Sequence, residues 1–338
     1  MKRTTLKDIA AEAGLSNCVV SHVLHNDAYA ARVRPETRKR ILSIAERLGY
    51  RRNLLASAIR TGQVSTVAVI LDFHQEHRAY LVNQVMEGIL LEASAGMYSV
   101  KIFSSDDPEG SIRSILENRI GLVISTSTKA DVRQKTAELA EKFGLRLVFA
   151  YEHGHGRFPA VNTDNVEMTR SAVRCLAEHG HTRIGLLCVP HWAQYVKDRH
   201  EGYLRGMKEC GLTADPRWVC CSNETEQALA PILSLPSEER PTAFVALSDP
   251  LAAGAQRIAW KHGLRIPEDF SIIGIGDTEA ASAAMVPITT FREDYRGIGR
   301  LLVRLLLGGK VDLRPDEFNV YRTGAQLIER QSVAFIKR

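Results

Sequence analysis

Seven short runs of apolar and β-branched residues punctuate the chain after residue 63, and their spacing constrains the fold more than any other feature. The runs are Val64–Leu71, Val100–Phe103, Leu122–Ser125 and Leu145–Ala150, then Ile184–Val189, Ala243–Leu247 and Ser271–Ile275. They are short and continuously apolar, as strands buried on both faces are. Helical stripes separate them; Leu81, Val85, Gly88, Ile89 and Ala93 recur at helical spacing between the first two. Buried strands alternating with helices specify parallel, doubly wound sheets. The pattern restarts midway, so blocks at about 64–160 and 161–289 predict two α/β lobes with a cleft between them.

The first sixty residues have a different character. Residues 1–62 hold twelve Lys/Arg and five Asp/Glu, a net +7, whereas the remainder holds 32 and 34, a net −2. Confining the excess positive charge to one end is the electrostatic footprint of nucleic-acid binding, because a merely soluble surface would spread it. The local pattern agrees. Thr5 precedes Asp8 by three residues, close to a capping box, and Ile9, Ala10 and Ala13 form an apolar stripe. Gly14 breaks that helix, Leu15 packs inward, and Ser16 is an N-cap for a second helix.

In the second helix Val19, Val20, Val23 and Leu24 face a core, leaving Asn17, Cys18, Ser21, His22 and His25 on the opposite side. Two short helices around a tight turn make a helix-turn-helix, whose second helix enters the major groove. Asn17 and His22 suit base edges, Cys18 offers a small contact, and the hydroxyls of Thr5, Ser16 and Ser21 suit phosphates. A third helix opens at Pro35, carries Ile41, Ala45 and Leu48, and stops at Gly49. The stretch Asn53–Ile59 can form a further helix, but one too short to stand alone in water. A partner copy on DNA would supply its support, with Ile59 as an apolar wedge for the minor groove. Thr61-Gly62-Gln63 reads as a linker.

In doubly wound sheets ligands lie beyond the carboxyl ends of the strands. The residues there are Asp72, Phe73 and His74; Ser125, Thr126 and Ser127; Tyr151 and Glu152; Trp192 and Tyr195; Ser248 and Asp249; Gly276 and Asp277. Aromatic rings beside charged groups suit a polar, ring-shaped ligand such as a sugar. Capping a helix or shaping a turn is an equally good account of Asp164 and Asp277.

The stretches TLKDIAAEAGLSNCVVSHVL, ETRKRILSIAERLGY and RNLLASAIRTG resemble the headpiece and hinge helix of the LacI/GalR family of bacterial repressors, and the resemblance runs the whole length. It implies a three-helix headpiece over 1–52, a hinge helix and linker over 53–63, and a periplasmic-binding-protein-like core over 64–338. The core would comprise an N-lobe (about 64–160 and 290–322) and a C-lobe (about 161–289 and 323–338). On that analogy Asn17, Cys18 and His22 read bases while Thr5, Ser16, Ser21 and Asn53 touch the DNA backbone. Ile59 stands at the intercalating position, and Leu6, His25, Arg34, Thr37, Tyr50 and Ala56 complete the DNA-binding set.

For the effector the resemblance implies Phe73, Ser125, Tyr151, Thr163, Trp192, Tyr195, Arg199, Ser248, Asp249 and Gly276. Arg199 and Gly202 match an R-x-x-G motif, and Asp164-Asn165 opens the second lobe. The chain departs from the family pattern at several points. Arg52 replaces a proline, residues 27–32 lengthen a loop, Cys18 and His22 are uncommon readers, and Gly276 and Tyr151 replace frequent acids. The implied partners are a pseudo-palindromic DNA operator, a carbohydrate-like effector and a second copy of the chain, with no cofactor.

Rival readings fare worse. There is no GxxxxGK[ST] loop, Ile275-Gly276-Asp277 is too short for a dinucleotide fingerprint, and Gly308-Gly309-Lys310 reads as a helix stop. The pairs His74/His77, His153/His155 and His179/His181 lack a partner set, so neither metal nor catalytic residues are expected. No run of 18 apolar residues occurs, and Met1-Lys2-Arg3-Thr4 does not lead into a secretory segment, so a cytoplasmic, non-membrane protein is expected. Six cysteines without metal spacing are expected to be free thiols. The alternative is a sugar-binding or sugar-processing protein of the same core fold with no regulatory DNA site.

Overall fold

The computed structural model describes residues 4–25, 29–50, 64–72, 79–190 and 193–336. It divides into a small unit ending at Val64 and a large unit from Ser65 onward. The hinge expected over Asn53–Ile59 lies outside the described residues, as do Phe73 and Trp192.

The small unit contains α1 (Leu6–Ala13), α2 (Asn17–His25) and α3 (Pro35–Arg47). Thr5 and Asp8 form a reciprocal capping box, in which Asp8 Oδ2 accepts the Thr5 N–H at 2.7 Å. Gly14 ends α1 at φ 62°, a left-handed conformation that costs other residues free energy. Ser16 Oγ then accepts the Val19 N–H at 3.3 Å and starts α2. Ile9, Val20 and Ile41 are fully buried, with Ala13, Val23, Ile44 and Ala45 packed around them. Each large aliphatic so buried contributes roughly 1.5–3 kcal/mol.

The large unit has twelve described strands. The first sheet uses β1 (Thr66–Leu71), β2 (Ser99–Ser104), β3 (Leu122–Ser125), β4 (Arg146–Ala150) and β5 (Ala160–Thr163). Between them lie α4 (Ala79–Ala95), α5 (Pro108–Glu117) and α6 (Ala130–Lys142). After α7 (Asn165–Glu178) the second sheet begins with β6 (Ile184–Cys188), α8 (Gln194–Glu209) and β7 (Val219–Cys221). It continues through α9 (Thr225–Leu233), β8 (Ala243–Ala246), α10 (Asp249–Lys261), β9 (Ser271–Ile275), the short α11 (Glu279–Ser282) and β10 (Thr289–Glu293). α12 (Tyr295–Leu307) returns to the first lobe, where β11 (Val320–Thr323) joins the sheet; β12 (Ala325–Ile328) ends in the second.

The sheet orders are β11-β5-β4-β3-β1-β2 and β12-β10-β9-β8-β6-β7, both doubly wound. All pairings are parallel except β10 with β12. The chain therefore crosses between lobes at 163–165, 293–295 and 323–325. The second crossing falls later than the expected boundary at 290, because Thr289–Phe291 pair in register with Ile273–Ile275 and hold β10 in the second sheet.

Two helix pairs approach so closely that glycine is required. A Cβ on Gly88 of α4 would overlap the carbonyl oxygen of Arg296 in α12, and one on Gly202 of α8 would overlap that of Val166 in α7. The glycine of the R-x-x-G sequence thus lets α8 seat against α7 and fixes where Arg199, one turn earlier, points.

The expectation of six free thiols is corrected. Cys188 and Cys221 are neighbours in the β6–β7 register, 4.4 Å apart at Cα, and are joined as a disulfide. Adjacent strands bring together residues 33 apart, a proximity that linear spacing does not reveal.

Candidate nucleic-acid interface and ligand cleft

On the small unit, Asn17 and Cys18 are exposed, while Ser21 and His22 are half-buried beside them on the face of α2 opposite Val20 and Val23. Cys18 Sγ lies 3.3 Å from His22 Nε2, and the His22 ring packs on Tyr29 with centroids 4.6 Å apart. The imidazole is thereby held from two sides, which limits its rotational freedom. Thr5, Ser16 and Arg34 are exposed, and Leu6, Thr37 and Tyr50 are half-buried. Thr5 and Ser16 already serve as caps, so a hydroxyl offered to phosphate there is also fixed in place. His25 ends α2, its side chain outside the described set; Asn53, Ala56 and Ile59 fall outside it entirely.

In the large unit the expected ligand residues form two connected groups. The first runs along Arg199. Its Nε donates to Asn165 Oδ1 at 2.7 Å, Nη1 to the Leu247 carbonyl at 2.8 Å and Nη2 to Glu293 Oε2 at 3.0 Å. The guanidinium also lies 5.2 Å from the Tyr195 ring centroid. Burial lowers the Arg199 pKa, but Glu293, Tyr295 and Tyr195 together outweigh it, and the net shift is upward. Asn165 in turn donates to the Thr163 carbonyl at 3.0 Å. On the other side the Tyr295 hydroxyl donates to Glu293, and burial pushes that phenol well above its ordinary pKa. Tyr151 packs in the same apolar cluster as Tyr295.

The second group centres on Asp249, which is fully buried. Its carboxylate accepts from Thr278 and Thr290, and burial raises its pKa despite those bonds. Ser248 is the N-cap of α10. Gly276 has φ 125°, and an added Cβ would meet Thr278 Cγ2 at 3.2 Å and Asp249 Oδ2 at 3.3 Å. An aspartate cannot occupy position 276 on this backbone without strain, which accounts for the departure noted there.

Ser125 and Thr163 end β3 and β5, and the Oγ atoms of both are buried without a hydrogen-bond partner. Tyr151 and Glu152 follow β4 at φ 61° and 52°, a turn that two L-residues adopt only at a cost. Asp164 and Asp277 resolve as structural. Asp164 caps α7 through the Glu167 N–H at 2.9 Å, and Asp277 pairs with Arg292 at 2.6 Å and Arg330 at 2.5 Å. Those two guanidiniums hold the Asp277 carboxyl below its usual range although burial pulls the other way.

A cavity of about 700 Å³ opens beside these groups, lined by Tyr80, Gln84, Gly276, Asp277, Arg292 to Arg296, and residues 324–326. Of the expected effector residues that are described, Gly276 alone lines it. Contacts between the lobes flank the crossings: Glu152 Oε2 accepts the Gln194 N–H at 2.8 Å, and Arg322 reaches Asp198 at 3.3 Å.

Glu293, Tyr295, Asp198 and Arg322 escaped the sequence reading. The signal is available, since Glu293 closes a strand at its carboxyl end, but Thr289-Thr290-Phe291-Arg292-Glu293 lacks the continuous apolar run that marks seven of the strands in the sequence. Among the described residues no cluster of three or more His, Cys, Asp or Glu is placed to hold a metal. His153 stacks on Phe318 and His179 on Phe335. No described helix is long and apolar enough to cross a membrane.

Comparison with known proteins bears on both units. Residues 5–53 match the family described as bacterial regulatory proteins, lacI family, and residues 173–333 match the periplasmic binding protein-like domain. The chain is 28% identical over 316 residues to the HTH-type transcriptional repressor PurR of Haemophilus influenzae strain PittEE, covering 90% of each. It is 27% identical to the protein of that name from Aliivibrio fischeri strain MJ11, covering 97% of this chain and 98% of the relative. Its fold matches the lac repressor dimer bound to operator and the anti-inducer ONPF, with TM-score 0.69, 21% identity and coverage of 98% and 100%. It also matches the transcriptional regulator CelR–cellobiose complex, with TM-score 0.65, 22% identity and the same coverage. The chain thus carries a lacI-family helix-turn-helix region joined to a periplasmic-binding-protein-like core.

Proposed function

We propose that the chain is a cytoplasmic transcriptional repressor that binds a pseudo-palindromic operator as a homodimer and releases or tightens its grip when a small molecule enters the cleft. The observation that carries this reading is the outward face of α2, where Asn17 and Cys18 stand exposed beside a braced His22 on a basic unit. A two-fold dimer presents two such helices to successive major-groove half-sites. The hinge over 53–63 would fold when both copies meet on DNA.

The effector is a carbohydrate-like metabolite held by Ser125, Thr163, Tyr195, Arg199 and their neighbours. The sugar in the related cellobiose complex supports that class. The chain acts by binding and not by turnover. Effector and operator sites communicate through lobe closure, a coupling that is typically worth 1–3 kcal/mol.

The reading is tested by selecting DNA from a random pool with the full chain, then titrating the selected duplex against random competitor. A selected sequence bound at least a hundredfold better than competitor supports it. Equal binding overturns it.

A further inference from the structure

The Cys188–Cys221 bridge joins the last register pair of β6 and β7, at the carboxyl end of the second sheet. Its two ends are unequally placed. Cys188 is 1% exposed within an apolar cluster of the second lobe, whereas Cys221 is exposed. β7 is an edge strand of three residues, paired on one side. Beyond the bridge only the Ser222 N–H still reaches back, donating to the Cys188 carbonyl at 3.0 Å. An attacking sulfur can therefore meet Cys221 without opening the sheet. Burial pushes the thiols of Cys175 and Cys220 up, the first to about 11, so neither supplies a thiolate that would reshuffle the bridge.

Cys188 is also coupled to the ligand residues through packing and hydrogen bonds. The Leu187 carbonyl accepts the Leu247 N–H at 2.9 Å, and the Leu247 carbonyl accepts Arg199 Nη1 at 2.8 Å. The cluster that holds Cys188 includes Tyr203 and Met207 of α8, with Val196 packed against it. α8 opens at Gln194, a few positions after β6 ends at Cys188. A change at the end of β6 is thus transmitted to the start of α8.

In a reducing cytosol a bridge lasts only while an oxidant keeps pace, so cytosolic disulfides in mesophiles are usually transient, serving catalysis or redox sensing. We propose that Cys188–Cys221 is a thiol-exchange site for low-molecular-weight thiols and their disulfides, and that its bridged form holds the start of α8, and with it Tyr195 and Arg199, in place. The inference takes from the reading above that the chain works in the cytoplasm. In the reducing direction a small thiolate attacks Cys221 Sγ; a new S–S bond forms there as the Cys188–Cys221 bond breaks. The Cys188 sulfur leaves with the electron pair and takes a proton. A second small thiolate attacks the mixed disulfide and expels the Cys221 sulfur, which is protonated in turn. Two small thiols become one small disulfide, and the protein gains two electrons and two protons. The small disulfide drives the reverse.

The test equilibrates the full-length protein with a series of reduced-to-oxidised glutathione ratios. Trapped thiols are mapped by mass spectrometry, and amide exchange is followed over Gln194–Tyr203. The pair is expected to pass reversibly between bridge and dithiol within the series. Reduction should speed exchange in that segment by about tenfold and leave β1 and β3 unchanged, as local loosening would. A pair that stays bridged in excess reduced glutathione overturns the proposal, as does one that never re-forms in excess oxidised glutathione or a segment that exchanges alike in both forms. Cys221→Ser should show the fast exchange at every ratio; a glutathione response like the wild type's would sink the idea. If Cys221→Ser does not fold, Cys18→Ser decides, since the response must survive loss of the other exposed thiol. Operator binding is measured on the same samples. A bridge that exchanges in a protein that prefers no DNA sequence would keep this inference and defeat the repressor reading.

Discussion

Asp249 Oδ2 accepts both the backbone N–H of Thr278 at 2.7 Å and its hydroxyl at 3.0 Å, tying the start of α10 to the loop after β9. Its other oxygen takes the Thr290 hydroxyl at 2.5 Å. Asp249→Ala strands one buried and two half-buried donors at once and should cost about 3 kcal/mol. Asp249→Asn keeps one carbonyl acceptor and should cost less. Urea midpoints of the two variants check the order; equal midpoints to wild type would show that the knot is dispensable.

The reading face makes its own forecast. Asn17→Ala should weaken binding to a selected operator by about 1–3 kcal/mol and relax preference at one base position. Arg34→Ala should instead weaken binding to all duplexes alike and reduce the salt slope by about one. Competition titrations at several salt concentrations separate the two behaviours.

Cys18, Cys175, Cys210 and Cys220 are the free thiols. Denatured but unreduced protein should therefore release four equivalents to a thiol reagent, and reduced protein six. Closing a loop of 33 residues should stabilise the core by about 4 kcal/mol in the chain-entropy account. A reductant should lower the unfolding midpoint of the wild type and leave that of Cys188→Ser unchanged.

His181 is buried between the Thr242 hydroxyl at 2.9 Å and the Ala334 carbonyl at 3.1 Å, a pair of partners that suits the neutral ring. Burial lowers its pKa to about 4, with His179 adding to the effect. The unfolded chain binds this proton near pH 6.5, so the folded state gains from deprotonation. That contribution is complete above pH 6.5 and is lost as the pH falls toward 4, amounting to about 3 kcal/mol in all. His181→Gln should flatten the stability profile across that window, as followed by denaturant titration at each pH.

Much of the local architecture is legible in the residues themselves. Thr5, Asp8, Gly14 and Ser16 announce the ends of α1 and the start of α2 because caps and left-handed turns act over three or four positions. β1, β3 and β4 of the first lobe are equally plain, since burial on both faces demands apolar side chains throughout. The site is less so. Glu293 becomes a partner of Arg199 only after three strands and three helices have been folded between them, 94 residues apart. Asp249 is expected from the sequence as a ligand contact, and its bonds to Thr278 after β9 and Thr290 in β10 are visible only in the folded chain. The Cys188–Cys221 neighbourhood likewise depends on strand register, which no spacing rule reports.

The three crossings carry a consequence for how the chain is made. β11 is an edge strand of the first sheet and β12 of the second, and only Gly324 separates them. Each sheet thus borrows an edge strand from the same short stretch, made after every other described strand. A ribosome that has delivered residues through Glu293 has released nearly all of both lobes and the finished form of neither. Exposure of the incomplete edges at β5 and β10 is then brief but unavoidable, and holding them apart until Val320–Ile328 arrives falls to slow pairing or to a chaperone.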